Sequence, residues 1–193
     1  MSGSLPRNDL TDYLREARVA LLWKLDGLSE YDIRRPLVPT GTNLLGLIKH
    51  VTSVTAGYFG DTFGRSILPP RWPADDAEPN ADMWATADES RADIVALYEK
   101  VWAHADETIA SLPLDTVGRV PWWPEHDNEV TLHHVIVRMI AEVHRHAGQA
   151  DIVRELIDGA AGRLPDTPDL AVENGAWWQA YRDRLEQAAR EAA

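Results

Sequence analysis

The stretch Ala141-Glu142-Val143-His144-Arg145-His146-Ala147-Gly148-Gln149-Ala150-Asp151 lies inside a longer run, Thr131 to about Asp158, whose apolar residues recur at helical spacing. Turned at about 100° per residue with Glu142 at zero, Val135 and Val153 fall near 20°, Met139 and Ile157 near 60°, and Val143 near 100°. His146, at about 40°, lies inside that apolar sector, and Glu142 sits on its edge. His144 and His133 fall at roughly 180–200° and are expected to face water. The stretch therefore has many polar groups but one inward pair, a carboxylate and an imidazole one helical turn apart. An ionised carboxylate turned toward a core is costly unless a positive charge meets it.

The rest of the chain is arranged in similar runs. A first helix is expected from Asn8 or Asp9, either of which can cap it, to Leu28, on Leu10, Leu14, Ala17, Leu21 and Leu25. A connector follows from Ser29 to Thr42, where Arg34-Arg35-Pro36 and Pro39-Thr40-Gly41 disfavour helix. The second helix is expected from Asn43 to Phe63, on Leu44, Leu47, Ile48, Val51, Val54 and Tyr58. His50 lies on the flank of that stripe, and Gly46 and Gly57 lie close to the same side. Gly64 to Thr86 reads as a long loop rich in Pro and acid, with Pro69-Pro70, Trp72, Pro73 and Trp84; loops of that length usually cover or tether something.

A third helix is expected from Ala87 or Asp88 to Leu112, on Ile94, Leu97, Tyr98, Val101, Trp102 and Ile109. His104, isolated within it, reads as a surface or interface histidine. Between this helix and the opening run, Val117 to Pro121 suits a short extended piece, followed by Trp122-Trp123. Adjacent tryptophans in a loop are either packing residues or the wall of a pocket. Gly159 and Gly162 end the fourth helix, and Leu164-Pro165 to Pro168 makes a turn. A fifth helix runs from Gly175 to Ala192, with Trp177, Trp178, Tyr181, Leu185 and Ala188 on its inner side. No run of strand period is long enough to build a sheet. The fold expected is all-α: a four-helix bundle with an additional C-terminal helix packed on it, in one domain spanning 1–193.

Composition narrows the function. The 193 residues carry a net charge of −12 and no basic run, which argues against a nucleic-acid partner. No apolar run approaches the roughly 20 residues that span a bilayer. No charged region followed by an apolar one opens the chain, so no signal peptide is expected and a cytoplasmic location is. The protein has no cysteine, so disulfides, thiol nucleophiles and thiolate ligands are excluded. Any metal must be held by His, Asp or Glu.

Bundles build metal sites from side chains on facing helices. Glu142 and His146 form an i, i+4 pair on one face, and His50 is the inward histidine of another helix. Two imidazoles and a carboxylate would leave a coordination position open, as catalytic zinc sites do, and would also accept nickel, iron or manganese. A second reading also stands on the residues alone. Glu142 and His146 form an ion pair, and Arg138, one turn earlier at about −40°, reaches the carboxylate.

Two segments resemble the DinB superfamily and, more narrowly, its mycothiol-transferase-like branch, which is related to the N-terminal domain of mycothiol-dependent maleylpyruvate isomerase. They are Asn43-Leu-Leu-Gly-Leu-Ile-Lys-His50 and Leu132 to Glu155, with Glu142, His146, Gly148, Gln149, Ala150 and Asp151 in the family's order. The resemblance implies an up-down-down-up bundle. It implies a divalent metal, zinc foremost, on His50, Glu142 and His146, where the wider superfamily uses three histidines. Gln149, at about −20°, could bond a ligand or a bound water. Many relatives carry glutamates shortly after the metal histidine; here Ser53 and Thr55 follow, so no acid–base role is carried over from them.

The activity implied is transfer or isomerisation driven by a low-molecular-weight thiol such as mycothiol, bacillithiol or glutathione, acting on a small electrophile. A protein without cysteine must take its sulfur from such a cosubstrate. The Gly64–Thr86 loop and Trp122-Trp123 are candidate pocket walls. Relatives are often dimers, and the Trp-rich last helix offers apolar surface for one. Two other readings are a metal-dependent hydrolase, for which no unused inward carboxylate is evident, and a non-enzymatic metal-binding stress-response protein.

Overall fold

Short polar side chains at the helix ends set most of the boundaries. In the computed structural model, which describes residues 6–68, 77–165 and 175–193, α1 (Pro6–Leu22) begins on a proline and gives way to a 3₁₀ turn at Trp23–Leu25. It starts earlier than Asn8 because proline's fixed φ suits the first helical turn, and Gly27, at φ 73°, diverts the chain before Leu28. The connector holds a helix too short for periodicity to reveal: α2 (Glu30–Arg34), capped by the Ser29 hydroxyl accepting from the Asp32 amide at 3.1 Å. It stops before Pro36, as proline requires.

Asn43 caps α3 (Leu44–Phe59), its Oδ1 accepting from the Gly46 amide at 2.8 Å. Ser90 caps α4 (Arg91–Ser111), accepting from the Asp93 amide at 3.0 Å. Thr131 caps α5 (Leu132–Asp158), which Gly159 closes at φ 81°. α6 is Gly175–Glu191.

The described residues are thus mostly helical, as expected, with six α-helices, and they add a small antiparallel sheet that the sequence reading did not include. It pairs β1 (Val117–Arg119) with β2 (Glu129–Thr131) in the register Val117↔Thr131. Three-residue strands carry no legible period, although Val117–Pro121 was expected to be extended. The sheet clamps the base of the loop that bears Trp122 and Trp123.

α1 packs against α5, and α3 against both α4 and α5. Leu14, Leu21, Leu47, Ile48, Phe59 and Met139 are among the fully buried residues between them. At one end Arg154 of α5 donates to the carbonyls of Lys24 and Asp26, each at 2.9 Å, while Lys24 meets Asp151 of α5 at 3.1 Å. Two buried cations thereby fix the axial position of α5 on α1.

The chain between α3 and α4 does not hang loose where it is described. Residues 82–89 are strapped onto α3 by polar groups spaced along one face of that helix. Asn43 Nδ2 donates to the Met83 carbonyl at 3.1 Å. Lys49, buried, donates to the Trp84 carbonyl at 3.0 Å and pairs with Glu89 at 2.7 Å. Burial works against ionisation of Glu89, but Lys49 and the Thr86 amide outweigh it and hold the carboxyl below its ordinary range. Gly46 makes the close approach possible: a Cβ there would lie 1.8 Å from the Met83 carbonyl oxygen. Pro69-Pro70, Trp72 and Pro73 lie outside the described residues, as does the turn at Pro168.

α6 corrects an expectation. None of its residues is buried, so Trp177, Trp178, Tyr181 and Leu185 do not form an inner side. The aromatic rings gather on one another, Trp177 and Tyr181 stacked with centroids 5.1 Å apart. The helix carries its own i, i+4 pairs, such as Arg190–Glu186 at 2.8 Å. The apolar periodicity was real, but the core is already enclosed by α1, α3, α4 and α5. No helix among the described residues is long and apolar enough to cross a membrane.

In an ordinary helix Gly→Ala stabilises by about 0.5–1 kcal/mol. Gly46→Ala is expected to do the reverse, destabilising by about 1–3 kcal/mol because backbone must move to admit the methyl group. Urea unfolding measures it; a gain in stability would mean that the strap is not seated as described.

Candidate metal centre

α3 and α5 pack with His50 on one helix facing Glu142 and His146 on the other. Each position follows from local periodicity: His50 flanks the buried stripe of α3, while Glu142 and His146 share the inner face of α5. One ligand atom from each of the three lies within 4.8 Å of the others. His146 is nearly buried, with 7% of its side chain exposed, and Glu142 is the most open at 30%. The two rings meet edge to face with centroids 4.8 Å apart.

The hydrogen bonds orient this cluster. His50 Nδ1 lies 2.6 Å from Asp82 Oδ2. A carboxylate can only accept, so Nδ1 carries the proton and Nε2 is turned inward, 3.4 Å from Glu142 Oε1. His146 repeats the arrangement. Its Nδ1 donates to Gln149 Oε1 at 2.7 Å, and its Nε2 lies 3.1 Å from the same Glu142 oxygen. With both rings neutral, two nitrogen lone pairs and a carboxylate oxygen converge on one point. Such a set is stable only with a cation among them, a proton or a metal ion. The donors are those of a His₂-carboxylate site, and an Asp or amide behind each histidine is the usual way such rings are held.

The electrostatics agree. Burial would lower the pKa of His50, but Asp82 and Glu142 outweigh it and hold the imidazole above its ordinary value. The hydrogen bond from His50 holds Asp82 below the usual carboxylate range. Burial pushes Glu142 up, and the hydrogen bonds and charges of His146 and His50 more than reverse that.

Of the residues expected at the site, His50, Glu142 and His146 come together and Gln149 stands behind His146. Arg138 does not reach Glu142. Its guanidinium lies over the rings of Tyr58 and Trp123, 5.2 and 5.0 Å from their centroids. The ion pair with Arg138 that competed as an explanation of Glu142 is therefore absent among the described residues. His133 and His144 are exposed, as their angles required. His104 is half-buried and meets the Arg65 carbonyl at 2.6 Å, a structural contact. Trp122 packs on α3, where a Cβ at Gly57 would lie 2.7 Å from its ring, and Trp123 packs against Tyr58 and His134.

Asp82 was missed by the sequence reading. It sits in an aperiodic segment where nothing distinguishes it from Asp75, Asp76 or Glu78. The only signal was that the long loop ought to cover something.

A family model described as mycothiol-S-transferase matches residues 9–159. No curated protein matches the chain. Among solved structures, one described as the conserved protein of locus from Enterococcus faecalis is similar, with a TM-score of 0.63 at 15% identity. The likeness covers 82% of this chain and all of that one, and at that identity it speaks for the fold alone.

Proton and metal compete for the same cluster, which sets its pH dependence. In the metal-free protein, the depressed carboxyls contribute stability above their ordinary values that is lost as pH falls through the folded values. His50, raised, contributes stability that is complete below its ordinary value and lost as pH rises through the folded one. The cluster's contribution should therefore peak between pH 4.5 and 6.5, the ordinary values of Glu142 and His50. Thermal melts across that range check it. Asp82→Asn should flatten the profile on the alkaline side and weaken divalent-cation binding by about 10–100-fold in a chelator competition.

Proposed function

The chain belongs to the mycothiol S-transferase family, within the DinB-like superfamily, and from that premise we propose that it is a metal-dependent enzyme of thiol chemistry. It joins the sulfur of a low-molecular-weight thiol to a small electrophile, or uses that thiol to drive an isomerisation. One observation carries the reading. The Nε2 atoms of His50 and His146 and a Glu142 oxygen converge on one point, in a protein with no cysteine of its own.

His50, Glu142 and His146 hold a divalent metal, zinc first, with nickel, iron and manganese acceptable to the same donors. Bound there, the metal supplies a Lewis acid that favours the thiolate over the thiol at neutral pH. Asp82 and Gln149 keep both imidazoles in the Nδ1–H form, so that their Nε2 lone pairs stay available. Glu142 supplies the negative charge that a dication requires. The strap from Asp82 to Glu89 closes one side of the site and keeps Asp82 in place. Three protein donors leave room for a further ligand, which suits a catalytic rather than a purely structural centre. Mycothiol, bacillithiol and glutathione all offer the required sulfur. Asp82 is engaged by His50 and is no spare base, so the hydrolase reading gains nothing from it.

The long connection between α3 and α4 suits two parallel neighbours. We accordingly read α1, α3, α4 and α5 as an up-down-down-up four-helix bundle in one domain, 1–193. We read the protein as cytoplasmic, where such thiols are held reduced, and the partly exposed aromatic cluster of α6 suits a homodimer.

Metal analysis of the purified protein, beside His50→Ala and His146→Ala, tests the site. Wild type should carry close to one metal per chain and each variant a small fraction of that. Equal metal in all three would refute the assignment. Thiol consumption with a generic electrophile tests the reaction. A rate no higher than that of the metal-stripped protein would remove the transferase reading even if the metal is present.

A further inference from the structure

Beside Glu142, the outer face of α5 floors a shallow, open groove of about 580 Å³, lined by His133, His134, Arg138, Glu142 and Arg145 with Val137 and Ala141 between them, all of them on α5. Glu142 belongs both to the groove and to the metal centre, so whatever lies in the groove lies beside the reacting atoms. The groove's charge is opposite to that of the molecule. The chain as a whole is at −12, but here the one carboxylate is already engaged by two imidazoles, and the remaining ionisable groups are two guanidiniums and two imidazoles.

Several arginines of the fold meet carboxylates: Arg18 with Asp106, Arg34 with Glu30, Arg91 with Glu30, Arg154 with Asp158. Arg138 and Arg145 have no such partner among the described residues. Arg138 is nonetheless positioned, because its guanidinium lies against the rings of both Tyr58 and Trp123. Cation–π contacts fix a guanidinium without satisfying its donors. Arg138 and Arg145 are seven residues apart on one helix, about 10 Å along its axis, with Glu142 between them. Guanidinium forks are suited to planar two-oxygen anions.

We propose that this groove seats a carboxylate carried by one of the two reactants, with Arg138 and Arg145 as its binding residues. The assignment rests on the thiol-transfer reading of the neighbouring metal centre and narrows its substrates to acids. Neutral electrophiles paired with neutral thiols would be poorer substrates, since they would make no charge-assisted hydrogen bonds with the two guanidiniums.

Calorimetric titration of the protein as purified, with benzoate and with benzamide, tests it. Benzoate should bind about tenfold more tightly than benzamide, and Arg138→Gln and Arg145→Gln should each weaken benzoate about five- to tenfold. Circular dichroism confirms that the exposed substitutions leave the helices intact. Equal binding of the two probes, or benzoate affinity unmoved by both substitutions, overturns the proposal. The titration contains no thiol and no turnover. Failure of thiol transfer would therefore leave it untouched, and failure of the titration would leave the transferase reading in place.

Repeating it with saturating glutathione, which brings its own carboxylates, and with uncharged N-acetylcysteamine identifies the source. Displacement of benzoate by glutathione alone puts the carboxylate on the thiol. Benzoate retained with both thiols puts it on the electrophile. Either supports the groove, whereas displacement by both thiols would place benzoate on the sulfur's own position and refute it.

Discussion

Glu142 is the constraint around which the site is organised. It is a carboxylate on the inner edge of a helix, ionised at neutral pH and partly withdrawn from water. A charge in that position is tolerated only if something positive is held against it. Among the described residues no arginine or lysine fills that role. The facing groups are two imidazoles whose outer nitrogens are already committed to Asp82 and Gln149. Everything around the carboxylate thus presents lone pairs or exchangeable protons, and a cation completes the set. The rest of the fold keeps that point in place: α1 fixes the height of α5 through Arg154 and Lys24, and α3 carries His50 up to it.

The strap on α3 explains features of the sequence that look unrelated in isolation. Asn43 closes the helix start and also grips the Met83 carbonyl. Gly46 is a poor helix former placed where only its lack of a side chain lets backbone come near. Lys49 is a buried lysine that reaches the Trp84 carbonyl of the strap and the Glu89 carboxylate at its end. His50 follows on the same side and receives Asp82. One face of one helix therefore does two things, holding a loop and orienting a ligand. The second depends on the first, because Asp82 has no rigid element of its own.

The helical periodicity that revealed α3, α4 and α5 also separated His146 from His144. Legibility failed where the decisive contacts are non-local. Asp82 lies in a segment without period, and its partner is 32 residues away. Arg138 was placed correctly on its helix, yet its partner depended on where Trp123 and Tyr58 would arrive, which no angle on α5 encodes. α2, β1 and β2 are shorter than a pattern can resolve. α6 shows the opposite error. Its aromatic spacing is that of a packed helix, but amphipathicity states only that a face is available, not that anything covers it.

The three converging side chains come from positions 50, 142 and 146, and His50 and Glu142 are 92 residues apart. No nascent fragment ending before α5 contains more than one of them. The complete donor set does not exist until most of the chain has left the ribosome and α5 has docked on α3. A metal held by these three donors would in consequence be captured only once α5 has docked on α3. The same separation would make metal loading a readout of folding, since the donors meet only when α3 and α5 have come together.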